Sequence, residues 1–144
     1  MLERARRTRV VRETEPNGSL EIFLPHQDLC VTIATGHLTV GMAKRWIEVL
    51  GRQFRWGACF DTFHDWDDMV GYDSSARQAL TSWVVSSLRN IRSAHFLVHD
   101  RLVRMGVSSA NVATSFAGLR MQVYTTRETF ESELRRQLDA RGSS

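Results

Sequence analysis

The sequence predicts an α/β domain with a mostly parallel central sheet, an antiparallel β-hairpin at one edge, and helices packed on the sheet. Strand-like apolar runs alternate along the chain with segments whose apolar residues recur at helical spacing. A hairpin turn signal, Asn17-Gly18, separates two short strand-like runs near the N-terminus. The chain has 144 residues, of which 42% are hydrophobic and 24% charged, as expected for one folded domain.

The hairpin and a third strand open the predicted sheet. Residues 8–12 and 20–24 are the two strands of the hairpin. Residues 29–35 form an apolar run that predicts the third strand, which we expect to end at Gly36.

The next elements are a helix, a strand and a loop. Thr39 is suited to cap a helix in which apolar residues from 40 to 54 fall at steps of three and four. Residues 58–63 read as a strand. The segment 64–72 is rich in charged and polar residues, and we expect it to be a loop.

Asp73 can cap a second helix, whose apolar face includes residues from 76 to 91. A short apolar strand over 94–98, a weaker helix over 101–117 and an alternating strand over 119–124 follow.

The final helix begins with a capping box, because Thr125 precedes Glu128 by three residues. Phe130, Leu134 and Leu138 form its inner face. The strict alternation of strands with helices over most of the chain is what predicts parallel pairing.

Charge divides the chain into an arm, a domain and a tail. Residues 1–12 carry five arginines and one glutamate, so they hold a net charge of +4, and the remaining residues sum to −1. We therefore expect a basic arm over 1–12 that can also serve as an edge strand, a folded domain over 13–141, and a frayed tail over 142–144. The balanced charge of the domain argues against nucleic acid as a partner.

Further sequence features indicate the compartment. No apolar stretch is long enough to span a membrane, and the N-terminus lacks the apolar region of a secretory signal. Cys30 and Cys59 lie in apolar runs and read as free thiols in a reducing compartment. We expect a cytoplasmic protein with no cofactor, and a homo-oligomer is compatible with the sequence.

One segment resembles a known family. Asp61 is expected near the end of a strand, and Tyr72-Asp73-Ser74-Ser75-Ala76 opens a helix. This pattern resembles the signature of STAS domains, the anti-sigma-factor antagonists and their relatives, in which Asp-Ser-Ser-Gly begins the helix. The element order over about residues 20–138 is similar to that fold. It is closer still to the divergent SpoIIAA-like subgroup, which is often grouped with the lipid-binding CRAL-TRIO fold.

The resemblance implies a non-catalytic regulatory or scaffolding module that binds another protein. In phosphorylated members a partner kinase modifies the serine that matches Ser75, and Ser74 is the alternative. Ala76 replaces the usual glycine, and the loop after Asp61 is longer than in those members. The predicted partner-binding residues are His64, Trp66, Asp68, Met69, Tyr72, Asp73 and Arg77.

Two alternatives remain open at this point. The fold's relatives also imply a small-molecule or lipid-binding domain, which requires an apolar cavity between the sheet and the helices. The third possibility is a metal-dependent enzyme. His64 with Asp65 and Asp67 follows one strand and His99 follows the next, so the two groups meet if the strands are parallel neighbours. The sequence carries no classical catalytic motif, which favours a protein that is not an enzyme.

Overall fold

The computed structural model describes residues 2–55, 57–115, 118–119 and 121–142. Within these ranges it has seven strands and five α-helices. The strands are β1 (Arg9–Glu15), β2 (Gly18–His26), β3 (Leu29–Leu38), β4 (Phe60–Trp66), β5 (Met69–Tyr72), β6 (Ile91–Val98) and β7 (Met121–Tyr124). The helices are α1 (Leu2–Arg6), α2 (Val40–Phe54), α3 (Ser74–Ser86), α4 (Arg101–Ser115) and α5 (Arg127–Gly142).

The strands form one mixed sheet in the order β1-β2-β3-β4-β6-β7, with β5 paired to β3 beyond the end of β4. The β1–β2 and β2–β3 pairs are antiparallel. The pairs of β3 with β4, β4 with β6, β6 with β7 and β3 with β5 are parallel. The predicted fold class, a mostly parallel sheet with an N-terminal hairpin at its edge, is confirmed.

Helices cover both faces of this sheet, and each face has its own apolar core. On one face, α2, α3 and α4 pack their apolar sides against the sheet. On the other face, α5 places Phe130, Leu134 and Leu138 against Phe63 of β4 and Leu97 of β6. Side chains alternate between the two faces along each strand, so a central strand such as β4 is buried on both sides.

The prediction that residues 64–72 form a loop is wrong. Strand β4 continues to Trp66, and β5 begins at Met69, so only a tight turn separates the two strands. The polar residues that suggested a loop are inside the protein: His64 and Asp65 are 2% and 6% exposed. Each has a polar partner from a distant part of the chain, which is how a polar residue is accommodated in a buried strand.

Other boundaries also differ from expectation. Strand β3 continues past Gly36, which has a φ of +68° at an irregular step in the pairing with β5, to Leu38. Helix α3 ends at Ser86, and Ile91 opens β6 instead of closing the helix. Thr126, not Thr125, accepts from the backbone N–H of Thr129 at the start of α5.

The boundary expected between the basic arm and the domain falls inside β1. Residues 9–12 are therefore part of the sheet, as its edge strand, and Ala5 of α1 is 1% exposed. Three expected elements lie partly outside the described residues: 116–117 of the helix, 120 of the strand and 143–144 of the tail.

An ionic cluster attaches the C-terminal end of α5 to the start of β4. The carboxylate of Asp61 is 7% exposed and accepts hydrogen bonds from Arg92, Ser93 and Arg141. Arg141 also donates to Asp28 at 2.7 Å. Burial alone raises the pKa of Asp61, but the hydrogen bonds from the two arginines and Ser93 outweigh it and lower that pKa below its ordinary value. The cluster therefore requires an ionised Asp61.

Replacing Asp61 with asparagine tests this attachment. We expect Asp61→Asn to lower the free energy of unfolding by about 3 kcal/mol at neutral pH, because two arginines lose a buried carboxylate. Since the native pKa is depressed, the contribution is complete above the unfolded pKa of about 3.9 and is lost as the pH falls through the native value. Urea denaturation at about pH 7 and about pH 2.5 measures both effects.

The control is Asp139→Asn, which removes an exposed ion pair with Arg4 and should change the free energy of unfolding by less than about 1 kcal/mol. If Asp61→Asn lowers the free energy of unfolding by the same amount at both pH values, the ionised carboxylate does not have this role.

Candidate functional site

The residues predicted to bind a partner do not share one exposed surface. His64, Trp66 and Met69 are buried at 2%, 6% and 1% exposure, so the prediction that they lie on an exposed loop is wrong. Asp68 is exposed in the turn between β4 and β5, and Ser74 and Ser75 are exposed in the first turn of α3. The last three, Tyr72, Asp73 and Arg77, are partly buried.

Asp73 occupies the N-cap position of α3, as expected, but its side chain makes no capping hydrogen bond to that helix. Its carboxylate accepts from the backbone N–H of Val40 at 3.1 Å and lies 2.7 Å from Nε2 of His37. These hydrogen bonds lower the pKa of Asp73. Thr39 accepts from the N–H of Met42, which confirms it as the cap of α2. Asp73 therefore ties the start of α3 to the start of α2.

The side chain of His64 is part of a buried hydrogen-bond chain. The indole N–H of Trp66 donates to the hydroxyl of Thr32 at 3.2 Å, and that hydroxyl lies 2.7 Å from Nδ1 of His64. A hydroxyl can donate one hydrogen bond and accept two, so the tautomer of His64 decides whether Nδ1 donates to Thr32 or accepts from it. Burial, and to a smaller extent the charge of His95, lowers the pKa of His64 to about 3. His64 is therefore neutral at physiological pH.

The residues proposed for a metal site are not brought together. His64 and Asp65 are successive residues of β4, so their side chains lie on opposite faces of the sheet. Asp65 and Asp67 bind Arg127, at 2.8 Å and 3.4 Å, and His99 is exposed at the end of β6. Among the described residues, no group of three or more His, Cys, Asp or Glu side chains is placed to hold a metal ion.

An apolar cavity lies between the sheet and helices α2, α3 and α4. Its volume is about 60 Å³, and the wider recess that includes its mouth measures about 520 Å³. The lining comes from five strands and three helices, and it is apolar apart from a few groups. The sheet contributes Leu38, Trp66, Met69, Tyr72, Phe96 and Met121, and the helices contribute Trp46, Arg77, Leu80, Thr81, Val84, Val103, Gly106, Val107 and Ala110.

Aromatic rings form the inner part of this cavity. Trp46 meets Trp66 edge to face, with ring centroids 5.8 Å apart, and Trp66 meets Phe96 at 5.0 Å. A smaller cavity of about 20 Å³ adjoins the first and shares Trp46 and Phe96 in its lining. Such rigid edge-to-face contacts fix the shape of the wall.

Tyr72 connects the wall of the cavity to α4. Its hydroxyl lies 3.4 Å from the carbonyl oxygen of Leu102. A Cβ atom at Gly106 would lie 2.8 Å from that hydroxyl oxygen, so glycine allows Tyr72 to cross over α4. The predicted residue Tyr72 is therefore part of the cavity wall.

Two polar groups of the cavity lack partners within the described part of the chain. The indole N–H of Trp46, a residue that is 3% exposed, has no hydrogen-bond acceptor there. The guanidinium of Arg77 has no hydrogen bond or ion pair with a described residue. A buried N–H without an acceptor costs about 1–3 kcal/mol, so the indole of Trp46 favours a nearby oxygen atom. The side chain of Arg77 is partly exposed, so water can solvate its guanidinium.

The comparisons with known proteins bear on the fold. No protein-family model matches the sequence, and no curated protein matches it either. Among solved structures, the chain is similar to an uncharacterized protein of the DUF3478 family from Shewanella loihica PV-4, described as having a SpoIIAA-like fold. The TM-score is 0.60 at 12% sequence identity, over 87% of this chain and 99% of that one. This chain has a SpoIIAA-like fold.

The SpoIIAA-like fold places Asp61 away from the serines with which it was grouped in the sequence. Asp61 is the second residue of β4, not near its end, and α3 begins after the opposite end of that strand. The five steps along the chain from Asp61 to Trp66 span about 16 Å in an extended strand. Asp61 consequently belongs to the ionic cluster under α5 and not to the start of α3.

Four of the residues predicted to bind a partner line the cavity, namely Trp66, Met69, Tyr72 and Arg77, but the sequence did not indicate the rest of its lining. Trp46 was visible only as an aromatic residue beside the apolar stripe of α2, and the small residue Gly106 was visible as a break in a weak helical pattern. Neither pattern indicates that the two residues line the same space. None of the helices within the described residues has both the length and the apolar character needed to cross a bilayer.

The buried His64 gives the SpoIIAA-like domain a predictable pH dependence. Its native pKa lies below its unfolded value of about 6.5, so the unfolded chain binds the proton first as the pH falls. The contribution of neutral His64 to stability is complete above about pH 6.5, and it is lost as the pH falls toward the pKa of His64 in the native protein. We expect His64→Gln to reduce the slope of unfolding free energy between about pH 6.5 and 4.5 by about 1.4 kcal/mol per pH unit.

Chemical denaturation at several pH values measures that slope. His99→Gln is the matched control, because His99 is exposed, and it should leave the slope unchanged. Equal slopes for wild type and His64→Gln would show that His64 is not held neutral in the native protein.

Proposed function

We propose that this SpoIIAA-like domain is a non-catalytic binding module that holds a small apolar ligand between its sheet and helices α3 and α4. The observation that carries the proposal is the apolar cavity of about 60 Å³ with its wider mouth. Protein interiors are packed with few voids larger than one water molecule, so a cavity of this size is a feature to be explained. Ligand sites are typically recesses of this kind, mostly apolar with a few placed polar groups.

Water is a poor occupant for most of this cavity. An ordered buried water requires about three polar partners, and most of the lining is aliphatic or aromatic. An apolar chain that entered the cavity would instead be removed from water, which is favourable by about 25 cal/mol for each Å² of apolar surface buried. A ligand oxygen near Trp46 would also supply the acceptor that its indole N–H lacks within the described residues.

The lining is suited to binding more than to proton transfer. Its polar side chains among the described residues are Arg77, Thr81, the hydroxyl of Tyr72 and the indoles, and an always-charged arginine is a poor acid or base. His64 lines only the smaller cavity, and its Nδ1 is engaged by Thr32. This distribution supports a binding protein over an enzyme.

Filling the cavity tests the proposal. Val107 lines the cavity and is 5% exposed, so Val107→Phe should occupy the space and reduce ligand affinity at least tenfold. The probes are straight-chain alcohols and acids of increasing length, titrated while the fluorescence of the cavity tryptophans is recorded. Native mass spectrometry of the purified protein reports any ligand that it already carries.

Val85→Phe is the matched control, because Val85 of α3 is 44% exposed and does not line the cavity. Thermal melting of both variants shows whether each is folded. Unchanged binding by a folded Val107→Phe variant, or no binding of any probe to wild type, would contradict the proposal.

A second candidate is a protein-interaction module controlled by phosphorylation. Its supporting observation is that Ser74 and Ser75 are exposed in the first turn of α3, where backbone N–H groups are unpaired and negative charge is favoured. Asp68, Tyr72, Asp73 and Arg77 are the other predicted contact residues that are not fully buried.

For this candidate we expect Ser75→Asp to change the affinity for a protein partner while the melting temperature stays nearly unaltered, because the side chain is exposed. The measurement is quantitative affinity capture by wild type, Ser75→Asp and Ser75→Ala, with Ser74→Asp in parallel. Equal capture by wild type and all three variants would exclude the phosphorylation switch.

A further inference from the structure

We propose that the smaller of the two cavities is the binding site of one ordered water molecule, held by Trp46, His64 and Thr62. This inference goes beyond the proposed function, because it assigns an occupant to the second cavity and does not depend on any ligand in the first. It rests on three features of the described residues: the size of the smaller cavity, the polar atoms in its lining, and the absence of charge on those atoms.

The smaller cavity has the size of a single water molecule. Its volume is about 20 Å³, and about 10–15 Å³ is enough to admit one water. An organic ligand requires more space, since an apolar cavity that binds benzene measures about 150 Å³. The size of the cavity therefore restricts its occupant to water or a monatomic ion.

Three polar side chains line this cavity, namely those of Trp46, Thr62 and His64. Thr62 and His64 are two positions apart in β4, so both lie on the face of the sheet that α2 covers. Trp46 comes from α2, and the centroid of its ring is 4.8 Å from that of His64. The three polar groups are therefore brought together from two elements.

Each of these side chains has an unused hydrogen-bonding atom. The indole N–H of Trp46 is buried and has no acceptor among the described residues. The hydroxyl of Thr62 donates to the backbone carbonyl of Ser93 at 3.1 Å, so its oxygen can still accept a hydrogen bond. In His64, Nδ1 lies 2.7 Å from the hydroxyl of Thr32, whereas Nε2 has no partner within the described part of the chain.

Water can satisfy all three groups at once. Trp46 supplies a donor and Thr62 an acceptor, so the occupant must both accept and donate a hydrogen bond. Nε2 of His64 donates in one neutral tautomer and accepts in the other, and a water molecule is a partner for either. About three hydrogen bonds are the usual number for a buried water.

The lining carries no charge that would hold an ion instead. Apart from the three polar side chains, the cavity is lined by apolar residues. Because burial lowers the pKa of His64 to about 3, its ring is neutral at physiological pH. A buried anion would lack a cationic partner, and a buried cation would face the N–H of Trp46, so both are costly.

This water joins two tryptophans of the ligand cavity through hydrogen bonds. The indole of Trp66 donates to Thr32, whose hydroxyl is hydrogen-bonded to His64. The water continues this chain from Nε2 of His64 to the indole of Trp46. Since Trp46 and Trp66 both line the larger cavity, two parts of its wall belong to one polar network. A ligand oxygen that reached Trp46 would compete with the water for the indole N–H.

A crystal structure of the full chain and NMR of the same protein test the inference. The density should show one water whose oxygen lies about 2.7–3.2 Å from Nε1 of Trp46. Rotating-frame NOE spectra should contain a direct cross-peak between the indole N–H proton of Trp46 and water. Crystals soaked in sodium bromide should give no anomalous peak in the smaller cavity.

Thr62→Val removes one hydroxyl of the site with little change in side-chain volume. It should weaken the cross-peak by about threefold or more, because the water loses one of its hydrogen bonds. Thr81→Val is the matched control, since Thr81 lines the larger cavity and not the smaller one, and it should leave the cross-peak unchanged. Thermal melting shows whether each variant is folded.

Four results would overturn the inference. They are an empty cavity in the density, no cross-peak in wild type, an anomalous bromide peak in the cavity, and a cross-peak that a folded Thr62→Val variant retains in full. The ligand cavity is tested separately by Val107→Phe, so the failure of one proposal is distinguishable from the failure of the other.

Discussion

The burial of β4 on both faces is the constraint on which this structure depends. Every polar side chain in a strand that water does not reach must find a partner inside the protein. Asp61 and Asp65 lie on the face of α5 and are bound by Arg141 and Arg127 from the two ends of that helix. The partners of β4 therefore fix the position of α5 along the sheet.

On the opposite face, the same strand supplies the floor of the cavity. His64 and Trp66 share the hydroxyl of Thr32, so their rings are held by hydrogen bonds as well as by packing. Trp66 then contacts Trp46 and Phe96 through ring edges. The cavity is consequently bounded by groups that cannot easily collapse into it, which explains how a void persists in a close-packed core.

The helices above this floor are positioned by a second set of polar contacts. Asp73, at the start of α3, accepts a hydrogen bond from the backbone N–H of Val40 at the start of α2, and it also contacts His37. One carboxylate therefore holds together the first turns of two helices that line the cavity. Gly106 lets α4 approach Tyr72. Arg77 follows Asp73 by one helical turn, so the contact that places α3 also places Arg77 beside the cavity.

Much of the fold could be predicted from local patterns. The hairpin follows from Asn17-Gly18, α2 from the cap at Thr39 and its apolar stripe, and α5 from Phe130, Leu134 and Leu138. These signals lie within a few residues of one another, which is the range over which periodicity and capping act.

The strand character of residues 64–66 could not be predicted in the same way. His64 and Asp65 look like loop residues until their partners are known, and those partners are 32 and 62 positions away in the chain. The cavity could not be predicted from the sequence either, since its walls come from α2, α3, α4 and several strands. The polarity of residues 64–66 therefore suggested an exposed segment. Long-range hydrogen bonds instead make the burial of these residues favourable.

The most direct test of the account is a methyl NMR titration of the wild-type protein with hexanoate. Binding in the cavity predicts shifts confined to the methyl groups of Leu80, Val84, Val103 and Val107. The methyl groups of Leu134 and Leu138, on the other face of the sheet, should not shift. Shifts centred instead on exposed methyl groups such as those of Leu102 and Met105, or no shifts at all, would contradict the central claim that this cavity is the binding site.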